Sequence, residues 1–333
     1  MYLRRAVLRL LATAVLLPVL ASCAGPSGGA FDVPRRAYVA RSNGGILSEQ
    51  EDPFARYAPV FVIQRHGEPH NRIGTVAATR DGKGRERVYV DPAEPTLYAE
   101  RQEFSTERGD YVNLIYRVHF QGVPGLRLTR GANVGLFVIV TLNDREEPVL
   151  VTTVHTCGCY VATVPTTYLP ADARPDEWEA SSLDVHGEVL PGLLRYPGAF
   201  AANYRPVAFV RDDTHRVMDI RVQDVGEAAW RYQVVPAVLR PMGALRALPV
   251  DGDTTSFFYD QGRRRGYVRG ARKPLEMLLM GWWALDLYVG RDKDLGDRRQ
   301  TGATFYTSLK PWRREESDMW PFADFLKYWG WRL

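Results

Sequence analysis

The chain has 333 residues, 45% hydrophobic and 25% charged, with a formal net charge of +4. That apolar share is ample for a large buried core, in one domain or two, and excludes a disordered chain. No polybasic stripe runs through the sequence, so nucleic acid is excluded as an expected partner.

The first 22 residues, MYLRRAVLRLLATAVLLPVLAS, carry arginines at positions 4, 5 and 9, then an apolar run from Leu10 to Leu20, then small residues. This is the pattern of a secretory signal peptide over 1–22, with an apolar run too short to span a bilayer. The stretch Leu20-Ala21-Ser22-Cys23 resembles the lipobox of bacterial lipoproteins. The resemblance implies cleavage before Cys23, diacylation of that cysteine with palmitate as an expected acyl group, and anchoring to a membrane of the cell envelope. Ala24 stands where an aspartate would signal retention in the inner membrane, so the outer membrane, facing the periplasm, is the expected location. Loss of residues 1–22 removes three arginines and no acid, taking the net charge from +4 to +1. Residues 23–50, with Gly, Pro and Ser in AGPSGGAFDVPRR, read as the lipidated cysteine and a flexible tether, and 51–333 as the globular body.

From about 58 to 235 the signals are mostly those of strands. APVFVIQ, NRIGTVAAT, ERVYVD, YVNLIYRVHF, NVGLFVIVTL and PVLVTTVHTCGCYVATV are rich in β-branched and aromatic residues and bounded by turn formers. The last two are joined by the short polar LNDREE, a hairpin signal, and RPVAFVR with HRVMDIRVQD reads as another antiparallel pair around DDT. KPLEMLLMGWWALDLYVG then has proline near its start and glycine at its end, as a buried helix over 277–289 would, and SDMWPFADFLKYWGW reads as a second helix or helical turn. The expected fold class is α+β, an antiparallel β-rich core with helices in the C-terminal third.

The most informative stretch is VHTCGCYVATV at 154–164. In a strand, His155, Cys157 and Cys159 would share one face, with neighbouring members nearly 7 Å apart, too wide for two sulfurs to meet. Gly158 between the cysteines offers a kink that would let them converge. Three readings follow: part of a zinc or copper site, a disulfide suited to an oxidising compartment, or two small buried hydrophobes. Further ligands are sought at His66 and His70 in RHGEPHNR, and at His119 in YRVHF, which is in phase with Arg117 and Gln121. His215, after Asp212 and Asp213, is a candidate general base for a cysteine nucleophile. His186 is assigned to a loop.

Other features read as structural. Asp292, Asp294 and Asp297 in GRDKDLGD lack the terminal glutamate of a calcium loop and are expected to form a solvated loop. QGRRRGYVRGARK at 261–273 is the one basic cluster, a solvated loop or a contact with anionic headgroups. The tail holds Trp312, Trp320, Trp329 and Trp331, which cap the core or line a partner surface. No glycine-rich phosphate loop, G-x-S-x-G elbow, H-E-x-x-H helix or C-x-x-C-H haem motif is present, and whether the chain is an enzyme stays open. The expectation is a membrane-anchored envelope lipoprotein with a Cys/His transition-metal site. The alternatives are an envelope scaffold that binds a protein partner, with a structural Cys-Gly-Cys, and a thiol or redox enzyme.

Overall fold

The computed structural model describes residues 36–41, 52–198 and 203–333, so the expected signal peptide, Cys23 and most of the expected tether lie outside the described residues. The chain forms eighteen strands among those residues. They are β1 (Arg36–Arg41), β2 (Val60–Ile63), β3 (Thr75–Arg80), β4 (Glu86–Asp91), β5 (Thr96–Thr106), β6 (Gly109–His119), β7 (Gly122–Val123), β8 (Gly131–Ala132) and β9 (Gly135–Leu142). There follow β10 (Pro148–His155), β11 (Ala162–Pro165), β12 (Leu183–Val185), β13 (Glu188–Leu190), β14 (Tyr204–Val210), β15 (Val217–Asp224), β16 (Gln233–Pro241), β17 (Leu248–Val250) and β18 (Asp253–Thr255).

Ten of these build one sheet in the order β11-β10-β9-β6-β5-β16-β1-β2-β14-β15. The predicted hairpins β9–β10 and β14–β15 are present and antiparallel. The expectation of an antiparallel core needs correction, because the sheet is mixed: β5–β16, β16–β1 and β2–β14 are parallel neighbours. The cause is long-range, since β16 returns late in the chain to lie between β5 and β1. The helices are short: α1 (Pro53–Tyr57), α2 (Val225–Arg231), α3 (Pro274–Met280), α4 (Arg298–Thr301) and α5 (Phe322–Tyr328). Helices α2 to α5 lie in the C-terminal third and α1 does not, so the predicted placement of helices holds in part. Among the described residues no helix is long and apolar enough to cross a membrane.

Both faces of the central strands are covered. Leu114, Tyr116 and Val118 of β6 join one core cluster with Leu136, Val138 and Val140 of β9. Ile115, Phe137 and Ile139 join a second cluster, closed by Phe257, Phe305, Phe322 and Phe325 from the C-terminal part of the chain. Burial on two sides explains why β9 and β10 are apolar without alternation. It also places Arg117 and His119, on the second face of β6, in the interior at 0% exposure. The Arg117 guanidinium lies over the rings of Phe137 (4.9 Å) and Phe258 (5.1 Å), and burial pushes its pKa down to about 10.

Two expectations about the C-terminal part are overturned. Helix α3 ends at Met280, and the stretch 277–289 is not a buried helix: Leu278 in the last turn of α3, and Trp282, Leu285 and Leu287 beyond it, are more than 70% exposed. Conversely, Asp292 and Asp294 do not form a solvated loop, being 1% and 3% exposed. Asp297 is partly exposed and caps α4 by accepting from the Arg299 amide.

Candidate functional site

Strand β10 ends at His155, and Cys157 and Cys159 lie in the turn that leads to β11 rather than within one long strand. The turn is closed by the His155 amide donating to the Cys159 carbonyl (3.0 Å) and the Gly158 amide to the His155 carbonyl (2.7 Å). Gly158 has φ +93°, a conformation L side chains rarely adopt, and a Cβ there would stand 2.1 Å from the Tyr306 carbonyl oxygen. Glycine is therefore required twice over, by the left-handed backbone and by the close approach of Tyr306. The turn brings the two cysteines to a Cα separation of 5.7 Å, and they are joined as a disulfide. The pattern of two cysteines around a glycine was thus a legible signal for convergence, whereas strand alternation was not.

His155, Cys157 and Cys159 form a group that could hold a metal ion once the cysteines are reduced, with one ligand atom from each within 4.8 Å of the others. The His155 ring is buried, and burial holds its pKa well below 6.5, so it is neutral. Its Nε2 lies 3.0 Å from the carbonyl oxygen of His215, which only accepts, so Nε2 carries the proton and Nδ1 the lone pair. Cys157 is buried and Cys159 partly exposed. Both line a cavity of about 420 Å³ with Tyr160, His186, Glu276, Met280, Trp283, Tyr306 and Trp329.

Behind the turn lies a buried set of charged groups that sequence reading missed. Thr156 donates its hydroxyl to the Asp292 carboxylate, and its carbonyl accepts from the Lys293 amide (2.7 Å). Lys293 Nζ donates to the Cys157 carbonyl (2.6 Å) and sits over the Tyr306 ring at 4.1 Å. Burial pushes this ammonium down to about 8. Lys273 reaches Asp292 at 3.7 Å, and burial raises the pKa of Glu276. No local pattern announces these contacts; the only sequence signal was the density of charge in GRDKDLGD.

The other candidates are placed around the cluster without contributing ring nitrogens to it. His215 donates Nε2–H to the His70 carbonyl (3.0 Å) and stacks on Phe120 with centroids 3.9 Å apart. Burial pushes its pKa down to about 3, and its Nδ1 has no hydrogen-bond partner. His70 pairs with Asp213 (2.8 Å), which also binds Arg127 (2.7 Å). Asp213, His70, His215 and His155 are therefore connected in series, through side chain and then main-chain carbonyls. His66 is a partly buried residue of the 64–72 loop whose carbonyl accepts from Arg72 (3.0 Å). His119 accepts from Arg117 Nε (2.7 Å) and donates Nδ1–H to Val134 O (3.2 Å), which uses both ring nitrogens. His186, assigned to a loop, forms part of the cavity wall, 5.2 Å from the Tyr160 ring. Comparison with known proteins adds no assignment: no protein-family model matches the chain, and neither a curated protein nor a solved structure does.

Proposed function

We propose that the protein is a lipid-anchored protein of the bacterial cell envelope whose Cys157–Cys159 pair forms, with His155, a redox-gated site for zinc or copper. The observation that carries this reading is the state of His155. Its Nε2–H is committed to the His215 carbonyl, which leaves the lone pair on Nδ1, and the ring brings a nitrogen within 4.8 Å of both sulfurs. Metal-ligating histidines are oriented in this way, by a hydrogen bond from the nitrogen that does not bind the ion. Opening the disulfide takes two electrons and two protons from a dithiol donor; the two thiols then lose those protons to bind the ion. Two thiolates and an imidazole suit a soft or borderline ion, and the adjoining cavity leaves a fourth position open to water or ligand. The anchored location rests on the lipobox resemblance at Cys23.

The test is native mass spectrometry of the mature protein before and after mild reduction in the presence of one equivalent of zinc or copper(I). The expected result is a metal-free oxidised form, two hydrogens lighter than the dithiol, and a reduced form that carries one ion. His155→Ala, which removes a direct ligand, should still be reducible but bind the ion more weakly or not at all. A reduced protein that takes up no ion removes the metal reading.

A second reading is favoured by the asymmetry of the sulfurs. The partly exposed Cys159 beside an apolar cavity suits attack by a substrate thiolate, and the buried Cys157 suits release of the mixed disulfide. On this reading Cys157→Ser traps mixed disulfides through Cys159, and Cys159→Ser does not.

A further inference from the structure

The segment from Leu278 to Leu287 is built inside out. Its small residues, Gly281 and Ala284, are buried, while Leu278, Leu279, Trp282, Trp283, Leu285 and Leu287 are exposed. Most other exposed large apolar side chains, such as Leu126, Val189, Trp230 and Val238, lie far from it in sequence. Single exposed apolar residues are ordinary, but six within ten positions are a patch that water disfavours. Arg314 holds the segment from beneath by donating to the Ala284 carbonyl, and the Gly281 amide closes the end of α3 by donating to the Met277 carbonyl.

Cationic groups border the patch. Arg291 lies over the Tyr288 ring at 5.1 Å, close to Arg264 and Arg272. Arg263 shares a surface hollow with Asp286 and the exposed Trp312. Among the described residues, Arg263, Arg264 and Arg272 have no ion-pair partner. Tryptophan and leucine projecting from a short element, with unpaired arginines at the rim, match the chemistry of a bilayer surface: indole at the headgroup level, leucine into the acyl boundary, guanidinium on phosphate. Twelve residues lie between Cys23 and Arg36, where the described body begins, a span of at most roughly 45 Å.

We infer that residues 278–287, with Arg263, Arg264 and Arg272, form a membrane-docking face that seats the body on anionic phospholipid. This rests on the anchored reading of Cys23 for its biological setting. Because Met280 and Trp283 also line the cavity at Cys157 and Cys159, docking would hold that cavity's mouth beside the bilayer.

The test uses mature protein mixed with vesicles of phosphatidylethanolamine and phosphatidylglycerol, with or without brominated acyl chains, and follows tryptophan emission. The expected result is a blue shift on vesicle binding and a loss of emission with brominated lipid. Most of that loss should disappear in Trp282→Ser/Trp283→Ser. The triple variant Arg263→Gln/Arg264→Gln/Arg272→Gln should lose less emission than the wild type on anionic vesicles and match it on phosphatidylcholine. Both sets of substitutions are at exposed or partly exposed side chains, so thermal melts should match the wild type. Equal emission with and without bromine overturns the docking face, as does a loss that survives in the double tryptophan variant. Absence of vesicle binding overturns it too, and leaves the patch to a protein partner. The mass of the Cys23 peptide from the same preparation reports separately on the anchor.

Discussion

The hydroxyl of Thr156 donates to the carboxylate of Asp292, a residue 136 positions later, and so ties the turn that bears the cysteines to the buried strip 291–295. The same strip supplies Lys293 to the Cys157 carbonyl. The cysteine turn is thereby held from behind by buried polar contacts with Asp292 and Lys293, while its front opens on the apolar cavity.

Removing that hydroxyl isosterically leaves a buried carboxylate with only Lys273 at 3.7 Å. Thr156→Val is expected to cost about 1–3 kcal/mol, the range for orphaning a buried polar partner. Thr156→Ser, which keeps the donor, should recover most of it. Urea unfolding of the three proteins at neutral pH checks this, and a Val variant as stable as the wild type would show that the contact contributes nothing.

Gly158→Ala is expected to be more damaging than its size suggests. The left-handed backbone alone costs an L residue about 1–2 kcal/mol, and the added methyl meets the Tyr306 carbonyl at 2.1 Å. The turn must shift, with a lower melting temperature and a smaller fraction of Cys157–Cys159 disulfide, read by thiol alkylation under denaturing conditions. Unchanged values on both measurements would contradict the requirement for glycine.

Glu86 in β4 gives a pH dependence with a defined sign. It accepts from Thr255 Oγ1 (2.6 Å), from Arg80 (3.1 Å) and from Arg269 (3.2 Å), and these contacts, Thr255 first, lower its pKa from 4.5 to about 2. The folded state holds the carboxylate more tightly deprotonated than the unfolded state does. Its contribution is therefore complete above about pH 4.5 and is lost as pH falls through about 2. The gap in melting temperature between wild type and Glu86→Gln should be constant above pH 5 and narrow toward pH 2. A gap that stays constant across that range would exclude Glu86 as the titrating group.

Much of the sheet was legible because strand formation has local causes. The β-branched runs at 135–142 and 148–155, with the polar link between them, specify a hairpin whatever surrounds it. Strand order was not legible, since the parallel insertion of β16 between β5 and β1 depends on contacts more than a hundred residues apart. The polar phase of Arg117 and His119 was visible, but not that aromatic rings from the C-terminal part would cover it.

For the site, the sequence by itself determined the three chemically apt side chains, His155, Cys157 and Cys159, and the glycine that lets two of them meet. Their spacing and the freedom of Gly158 at positive φ are properties of five consecutive residues. Only the tertiary structure decided which groups stand behind and beside them. It buried Asp292 and Lys293, which composition assigns to solvent, and exposed the leucines and tryptophans of 278–287, which composition assigns to the core. The reason is physical: hydrophobicity measures what a side chain would gain by leaving water, whereas its position depends on which neighbours the rest of the chain brings to it. Gly281 and Ala284 took the inward places in that segment, so the tryptophans and leucines beside them face outward.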